Sequence, residues 1–98
     1  MTTAPTTHKR RFRNIVGPLV RRLRNARGWT QAELAAKLQI AGLELERADI
    51  AKIESQLRSL YDFELFILAA VLGVTAMDLN PGLKKAKAEL CLLRRGYK

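Results

Sequence analysis

The fold is decided by the stretch TQAELAAKLQIAGLELERADIAKIE, residues 30–54. It opens with a capping-box pattern, since Thr30 is suited to cap the next turn and Glu33, three residues later, is suited to reach back. Apolar residues at the spacing of one helix face follow, at Leu34, Ala35, Leu38, Ile50, Ile53 and Leu57. The pattern predicts one helix over QAELAAKLQIA and another over about residues 46–56, with an interruption near Gly42.

Further helices are predicted on both sides of this stretch. Upstream, IVGPLVRRLRNARG predicts a helix over about residues 17–27, with Pro18 in its first turn and Gly28 at its C-terminal cap. Downstream, DFELFILAAVLG runs from an Asp62 cap to Gly73 and is apolar on nearly every side. We expect this helix to be buried on more than one side, under a covering tail or a partner subunit. TAMDLN predicts one more short, capped helix.

Composition favours a single all-α domain. The 98 residues, of which 48% are hydrophobic, suffice for one small core. Ala, Leu, Arg, Lys and Glu dominate and no β-branched runs appear, which favours helices. The sequence therefore predicts an all-α, compact bundle of about five helices, followed by a helical C-terminal tail.

Several functional classes lack the residues they would need. His8 is the only histidine and Cys91 the only cysteine, so no metal site, His-based catalytic set or internal disulfide is predicted. No nucleophile–base pair or phosphate-binding glycine loop is recognisable, and we expect neither an enzyme nor a cofactor. No run of roughly 18 apolar residues predicts a membrane span. A lone cysteine fits a reducing cytoplasm.

The net charge of +9 is unevenly distributed along the chain. Residues 1–28 carry +8, residues 29–80 carry −4 and residues 81–98 carry +5. A strongly basic balance indicates an acidic partner such as nucleic acid. Because the middle of the chain is acidic, contact with nucleic acid must be confined to one face or be assisted by the basic flanks.

The two flanks are predicted to differ in structure. Residues 1–14 predict a flexible basic arm, in which HKRRFR suits a phosphate backbone or a minor groove but is equally typical of a solvated tail. Residues 15–80 hold the helical domain, and residues 81–98 form a basic amphipathic tail. In the tail Leu83 and Leu90 are seven residues apart. This spacing suits either docking onto the domain or dimerisation, and the dimer interface is open between helix 63–72, tail 83–95 or both.

Three motifs in order, WTQAELA, IAKIE and LAAVLGVTAMDL, resemble the phage-repressor and Cro-like helix-turn-helix family, of the xenobiotic-response-element type. The resemblance covers roughly residues 15–80 and implies a lambda-repressor-like DNA-binding domain. In that family the third helix enters the major groove with its first residues at base edges. Matched on IAKIE, the resemblance puts Arg47 and Ala48 at the bases and Lys52 one turn further along. Asp49 lies on the flank of this face, where it suits a cytosine amino group or an ion pair with Arg47.

Contacts to the DNA backbone are predicted as well. The phosphate-contacting residues are expected to be Thr30, Gln31, Ser55 and Arg58. The resemblance supplies Gln31, at the start of the second helix, and Arg58, in the loop after the third. It also matches Glu54 to a glutamate that forms a structural ion pair with an arginine of the first helix, here Arg24.

The helical wheel of residues 46–56 gives the orientation of this helix independently of the resemblance. With the isoleucines inward, the opposite side holds Ala48, Ala51, Lys52 and Ser55, which are small or basic. The segment also carries the acids Glu46, Asp49 and Glu54, which would repel DNA if they faced it. The pattern predicts that Glu54 lies near the core, whereas Glu46 suits the helix dipole of the first turn.

The sequence departs from the family pattern in two places. Leu38 and Ile50 are twelve positions apart where the family has seven, so the turn over residues 39–45 is lengthened by about five residues. This turn is expected to affect how the third helix docks on DNA. A glycine normally follows the IE pair by two positions, and Gln56 stands there instead. The third helix is therefore expected to run longer or to cap differently.

These patterns favour a sequence-specific, double-stranded DNA-binding transcriptional regulator that acts as a homodimer. A helix-turn-helix adaptor, or an antitoxin-like protein acting through protein–protein binding, is the alternative. The acidic middle and the apolar helix over residues 63–72 favour that alternative. The regulator and the adaptor differ in whether the isolated chain selects a duplex sequence.

Overall fold

Short helices make up the regular structure of residues 12–94, which the computed structural model describes, with side chains as far as Leu90. They are α1 (Gly17–Ala26), α2 (Gln31–Ile40), α3 (Arg47–Glu54), α4 (Asp62–Leu72), a 3-10 helix (Ala76–Leu79) and α5 (Leu83–Arg94). No strand occurs in this part of the chain, and the predicted all-α fold is confirmed. Most of the predicted arm and the end of the predicted tail, with His8, lie outside the described residues.

The start of α2 follows directly from its first residues. The Thr30 hydroxyl accepts a hydrogen bond from the Glu33 amide at 3.0 Å, and the Glu33 carboxylate accepts one from the Thr30 amide at 2.8 Å. Such a cap stabilises a helix by about 1 kcal/mol. The reciprocal bonds therefore fix where α2 begins.

The lengthened turn between α2 and α3 folds back onto the core. The Leu43 amide donates to the Leu38 carbonyl at 2.8 Å, and the Gln39 side chain donates to the Leu45 carbonyl at 2.9 Å. Leu45 is only 5% exposed, which anchors the turn. Gly42 has a φ of 97°, a conformation that glycine adopts without steric cost.

The core is formed where α1 to α4 and the 3-10 helix meet. Its fully buried side chains are Val20, Leu34, Leu38, Ile50, Ile53, Leu68, Leu72 and Leu79. Each buried side chain of this kind contributes roughly 1.5–3 kcal/mol to folding. The predicted core positions of α2 and α3 are all occupied as expected, with one exception. Leu57 lies beyond the end of α3 and is 44% exposed, so its assignment to the core was wrong.

Helix α4 is buried on one side in the single chain. Its apolar sequence predicted burial on more than one side, under a covering tail or a partner subunit. Phe63 and Phe66 are 57% and 61% exposed, so the described part of the tail does not bury them, and cover by a partner subunit stays a prediction. Leu68 and Leu72 on the other side of the helix are fully buried. A helix whose polar residues are confined to its first turn does not show which face meets the domain, and in the single chain only one face does. No helix in the described residues is long and apolar enough to span a membrane.

Helix α1 approaches the end of α3 through a residue without a side chain. A Cβ atom at Gly17 would overlap the Ile53 carbonyl oxygen and press on the Glu54 backbone. Since both atoms belong to a helix backbone, neither has room to move aside. The small residue at this position therefore sets the distance between α1 and α3.

We expect Gly17→Ala to lower the free energy of unfolding by about 3 kcal/mol, because the new methyl group meets backbone. The control is Gly42→Ala, which meets no atom within 4 Å and loses only about 1 kcal/mol through its φ. Urea denaturation measures both. Equal losses would contradict the close contact between α1 and α3.

Candidate nucleic-acid interface

Helix α3 turns its small and basic side toward solvent. Ile50 and Ile53 are fully buried, whereas Arg47, Ala48 and Lys52 are exposed. Three of the four predicted base contacts therefore lie on an open surface. The lengthened turn does not cover Ala48 or Lys52.

Asp49, the fourth predicted base contact, caps the start of its own helix and forms an ion pair with the loop that follows. Its Oδ2 atom accepts a hydrogen bond from the Glu46 amide at 2.9 Å, which caps the start of α3. Its Oδ1 atom lies 4.0 Å from Nε of Arg58. The structure thus brings Asp49 to Arg58 instead of to Arg47.

Glu54 is the centre of a buried ionic network. Its carboxylate accepts hydrogen bonds from Arg24 at 2.6 and 3.0 Å, from Gln31 at 3.1 Å and from Arg21 at 3.4 Å. Arg24 also donates to the Trp29 carbonyl at 2.7 Å. The residue as a whole is 3% exposed. The network therefore joins α1, the start of α2 and the end of α3 through one carboxylate.

This network keeps the buried carboxylate ionised. Burial alone would raise the pKa of Glu54, but the hydrogen bonds from Arg24, Gln31 and Arg21 and the charge of Arg24 together lower it. The hydrogen bond to Glu54 raises the pKa of Arg24. Glu54 is consequently unavailable to repel DNA, since its charge is buried and balanced.

Arg58, half-buried, forms a second ion pair, with the buried Glu64 near the start of α4. Its two terminal nitrogens lie 3.1 and 3.0 Å from the two carboxylate oxygens of Glu64. Glu64, 5% exposed, also accepts from the Tyr61 amide at 3.0 Å. The hydrogen bond from Arg58 lowers the pKa of Glu64. Arg58, a predicted phosphate contact, is therefore held in place by the protein, with 26% of its side chain exposed.

The other predicted phosphate contacts differ in how they are held. The Thr30 hydroxyl caps α2, and the Gln31 amide donates to Glu54, which places Gln31 beside the end of α3. Ser55 is exposed at the C-terminal cap of α3. Gln31 and Ser55 therefore lie at the C-terminal end of α3, whereas Thr30 lies at the N-terminal cap of α2.

An open groove beside α3 contains residues that the sequence patterns did not single out. It has a volume of about 530 Å³, and its lining residues are Arg13, Asp49, Lys52, Leu57, Arg58, Ser59, Leu60 and Tyr61. Arg13 belongs to the basic HKRRFR run, but nothing in the sequence placed it beside Lys52. Within the described residues, no cluster of three or more His, Cys, Asp or Glu is arranged to hold a metal ion.

Comparison with known proteins gives one match. A family model described as helix-turn-helix, of the Cro/C1 type, matches residues 20–79, which is more than half of the chain. A search of curated proteins and a search of solved structures each gave no match.

We expect Glu54→Gln to lower the free energy of unfolding at pH 7 by about 3 kcal/mol, because it leaves the charge of Arg24 without its partner. Since folding lowers the pKa of Glu54, its contribution is present above the unfolded pKa of about 4.3. That contribution is lost as the pH falls through the folded pKa. Chemical denaturation between pH 7 and pH 3 should therefore show a smaller decline in the variant than in the wild type.

The matched control is Glu44→Gln, which removes the same charge from an exposed position in the turn. It should leave both the stability and its pH dependence close to the wild type. An unchanged pH dependence in Glu54→Gln would contradict the role assigned to the buried carboxylate.

Proposed function

This chain belongs to the Cro/C1-type helix-turn-helix family of DNA-binding proteins. We propose that it is a transcriptional regulator that binds double-stranded DNA in a sequence-specific manner. The observation that carries the proposal is the orientation of α3. Its isoleucines are buried, and Ala48 and Lys52 are exposed on the opposite side. An exposed helix face of small and basic residues suits entry into a major groove.

In the proposed complex the first turns of α3 contact the bases. Arg47 and Lys52 are long, exposed donors suited to guanine, and Ala48 is small enough to allow close approach or to contact a thymine methyl group. Asp49 uses Oδ2 for its own helix, and Oδ1, at 4.0 Å from Arg58, is proposed to accept from a cytosine amino group.

Backbone contacts are proposed for Thr30, Gln31, Ser55 and Arg58, with added attraction from the basic flanks. The ion pairs support this assignment, because they balance two acids of the acidic middle. Glu54 is paired with Arg24, and Glu64 with Arg58. The negative charge of the middle of the chain is therefore partly neutralised where a phosphate backbone would approach.

We propose that the protein acts as a homodimer in the cytoplasm. Phe63 and Phe66 on α4 are more than half exposed, and so is Leu83 on α5, with Leu90 close to half. Large exposed apolar side chains in a small domain are typical of an association surface. A two-fold dimer would place two copies of α3 on successive major grooves.

The same exposed aromatic residues favour a second candidate, an adaptor that binds chiefly another protein. Selection from a random duplex pool with the full chain distinguishes the two. A regulator enriches a defined motif, and its affinity for that duplex falls steeply with salt. Failure of the full chain to enrich any motif would favour the adaptor.

We expect Lys52→Ala to reduce the preference for the enriched duplex over a mismatched one by roughly 1–3 kcal/mol, because a base contact is lost. Arg58→Ala should instead weaken binding to both duplexes alike. Fluorescence anisotropy with the two duplexes measures both effects, after circular dichroism has shown that each variant is folded.

The control for the Lys52 variant is Lys37→Ala, which removes an equal charge from a side chain lying over the Trp29 ring at 4.5 Å. It should leave the base preference unchanged. If the Lys52 and Arg58 variants weakened every duplex equally, the assignment of Lys52 to a base would be wrong.

We expect Phe66→Ser to weaken dimerisation on the order of 100-fold, since a two-fold interface buries the side chain twice. Sedimentation velocity over a range of protein concentrations measures the change. The control is Ile40→Ser on α2, which removes a side chain that is 88% exposed. Equal effects of the two substitutions would exclude α4 as the interface.

A further inference from the structure

The segment before α1 is bonded to the end of α3 through Asn14. The Asn14 side-chain amide donates to the Ile53 carbonyl at 3.0 Å and to the Arg58 carbonyl at 2.8 Å. Its carbonyl oxygen accepts from the amides of Val16 at 3.1 Å and Gly17 at 2.8 Å. Both donors of the amide group and its acceptor are thus used. One side chain joins the start of α1 to the end of α3 and to the loop that follows.

Gln56 completes this connection from the other side. Its backbone carbonyl accepts from the Arg13 amide at 2.9 Å, and its side chain donates to the Asn14 carbonyl at 3.0 Å. Its φ of 65° lies in the left-handed region, which disfavours a residue with a Cβ. Glycine would adopt this backbone without strain. The Gln56 side chain therefore offsets its unfavourable backbone with a bond that glycine lacks. We call the bonds among Arg13, Asn14 and Gln56 the clasp.

The clasp holds Arg13 in the groove beside α3. Arg13 and Lys52 line this groove together with the polar residues Ser59 and Tyr61. Within the described residues neither Arg13 nor Lys52 forms a salt bridge. These two cations thus keep their charge for a ligand.

The groove is also lined by one acidic side chain, Asp49, and one further basic side chain, Arg58. The carboxylate of Asp49 faces it, but this acid accepts from the Glu46 amide and lies beside Arg58. Arg58 in turn is paired with Glu64. Arg58 therefore balances one of the two acids, and with Arg13 and Lys52 the groove and its ion-paired neighbours keep a net charge of +1.

We propose that the clasp fixes Arg13 at the edge of this groove so that Arg13 binds a phosphodiester of the duplex whose bases Lys52 contacts. The inference rests on the proposed function and adds a contact and a positioning device to it. Arg13 touches the phosphate, and Gln56 acts only through Asn14 and the backbone of Arg13. The phosphate belongs to the same duplex because Asp49 and Lys52, on α3 itself, form one wall of the groove.

The test uses the full chain and a short duplex of random sequence as the probe, with affinity measured by fluorescence anisotropy from 50 to 200 mM salt. Arg13→Ala should reduce the slope of log affinity against log salt by about 0.9, the value for one phosphate contact. Over this range the wild type then loses about 3.5-fold more affinity than the variant. The control is Arg22→Ala, which removes an equal charge from an exposed position on α1. Arg22 lies on nearly the opposite side of this helix from Arg24, so the variant should keep the wild-type slope.

Gln56→Gly tests whether the clasp positions Arg13, in a variant whose stability is expected to stay unchanged. It removes the side-chain bond of the clasp but suits a φ of 65°, so its melting temperature should stay close to that of the wild type. Its salt slope should nevertheless fall toward that of Arg13→Ala. In the double variant the slope should fall no further than in Arg13→Ala alone, because both changes affect one contact.

The outcomes separate this inference from the proposed function. Binding by the wild type with the same slope in Arg13→Ala and Arg22→Ala would overturn the phosphate contact alone. A wild-type slope in Gln56→Gly would overturn the positioning role of the clasp. If the wild type bound neither this duplex nor any selected one, the proposed function would fail and the inference with it.

Discussion

The buried carboxylate of Glu54 is the constraint on which the domain depends. A charge removed from water is unfavourable unless it is paired and hydrogen-bonded. Here Arg24 on α1 supplies the opposite charge, and Gln31 at the start of α2 donates a further hydrogen bond. Glu54 itself is the last residue of α3. Any arrangement that separated these three helices would leave a buried ion unpaired. The network therefore adds a directional constraint on the position of α3, since hydrogen bonds need defined geometry whereas the hydrophobic effect has no direction.

The same principle accounts for the acids close to a surface proposed to face DNA. Asp49 caps its own helix and lies beside Arg58, and Glu64 holds Arg58 from the side of α4. These side chains set the loop between α3 and α4 in place, and much of their charge is balanced within the protein. The acidic middle of the chain is thus compatible with an exposed basic face on α3. The acids pair with basic side chains that lie close in space, whatever their separation in the sequence.

The limits of prediction follow from the range of each interaction. Thr30 and Glu33 form the expected cap because their partners lie within one turn, and helical spacing correctly placed the isoleucines of α3 in the core. Leu57 was assigned to the interior wrongly, because α3 ends before it. The outer face of α4 is not buried by the described residues of the single chain, and its burial against a partner subunit stays a prediction. Gln56 shows a third limit, since its bond to Asn14 joins residues 42 positions apart.

The sequence by itself determined the number and kind of the helices, the start of α2, the inward side of α3 and the family to which the chain belongs. These follow from short-range periodicity and capping, which each segment carries within itself. Only the tertiary structure decided which aromatic residues remain exposed, how the lengthened turn is anchored by Leu45 and where Arg13 lies relative to Lys52. Each of these depends on contacts between segments distant in the chain, whose relative placement is set by the buried ion pairs and by the close approach of α1 to α3 at Gly17.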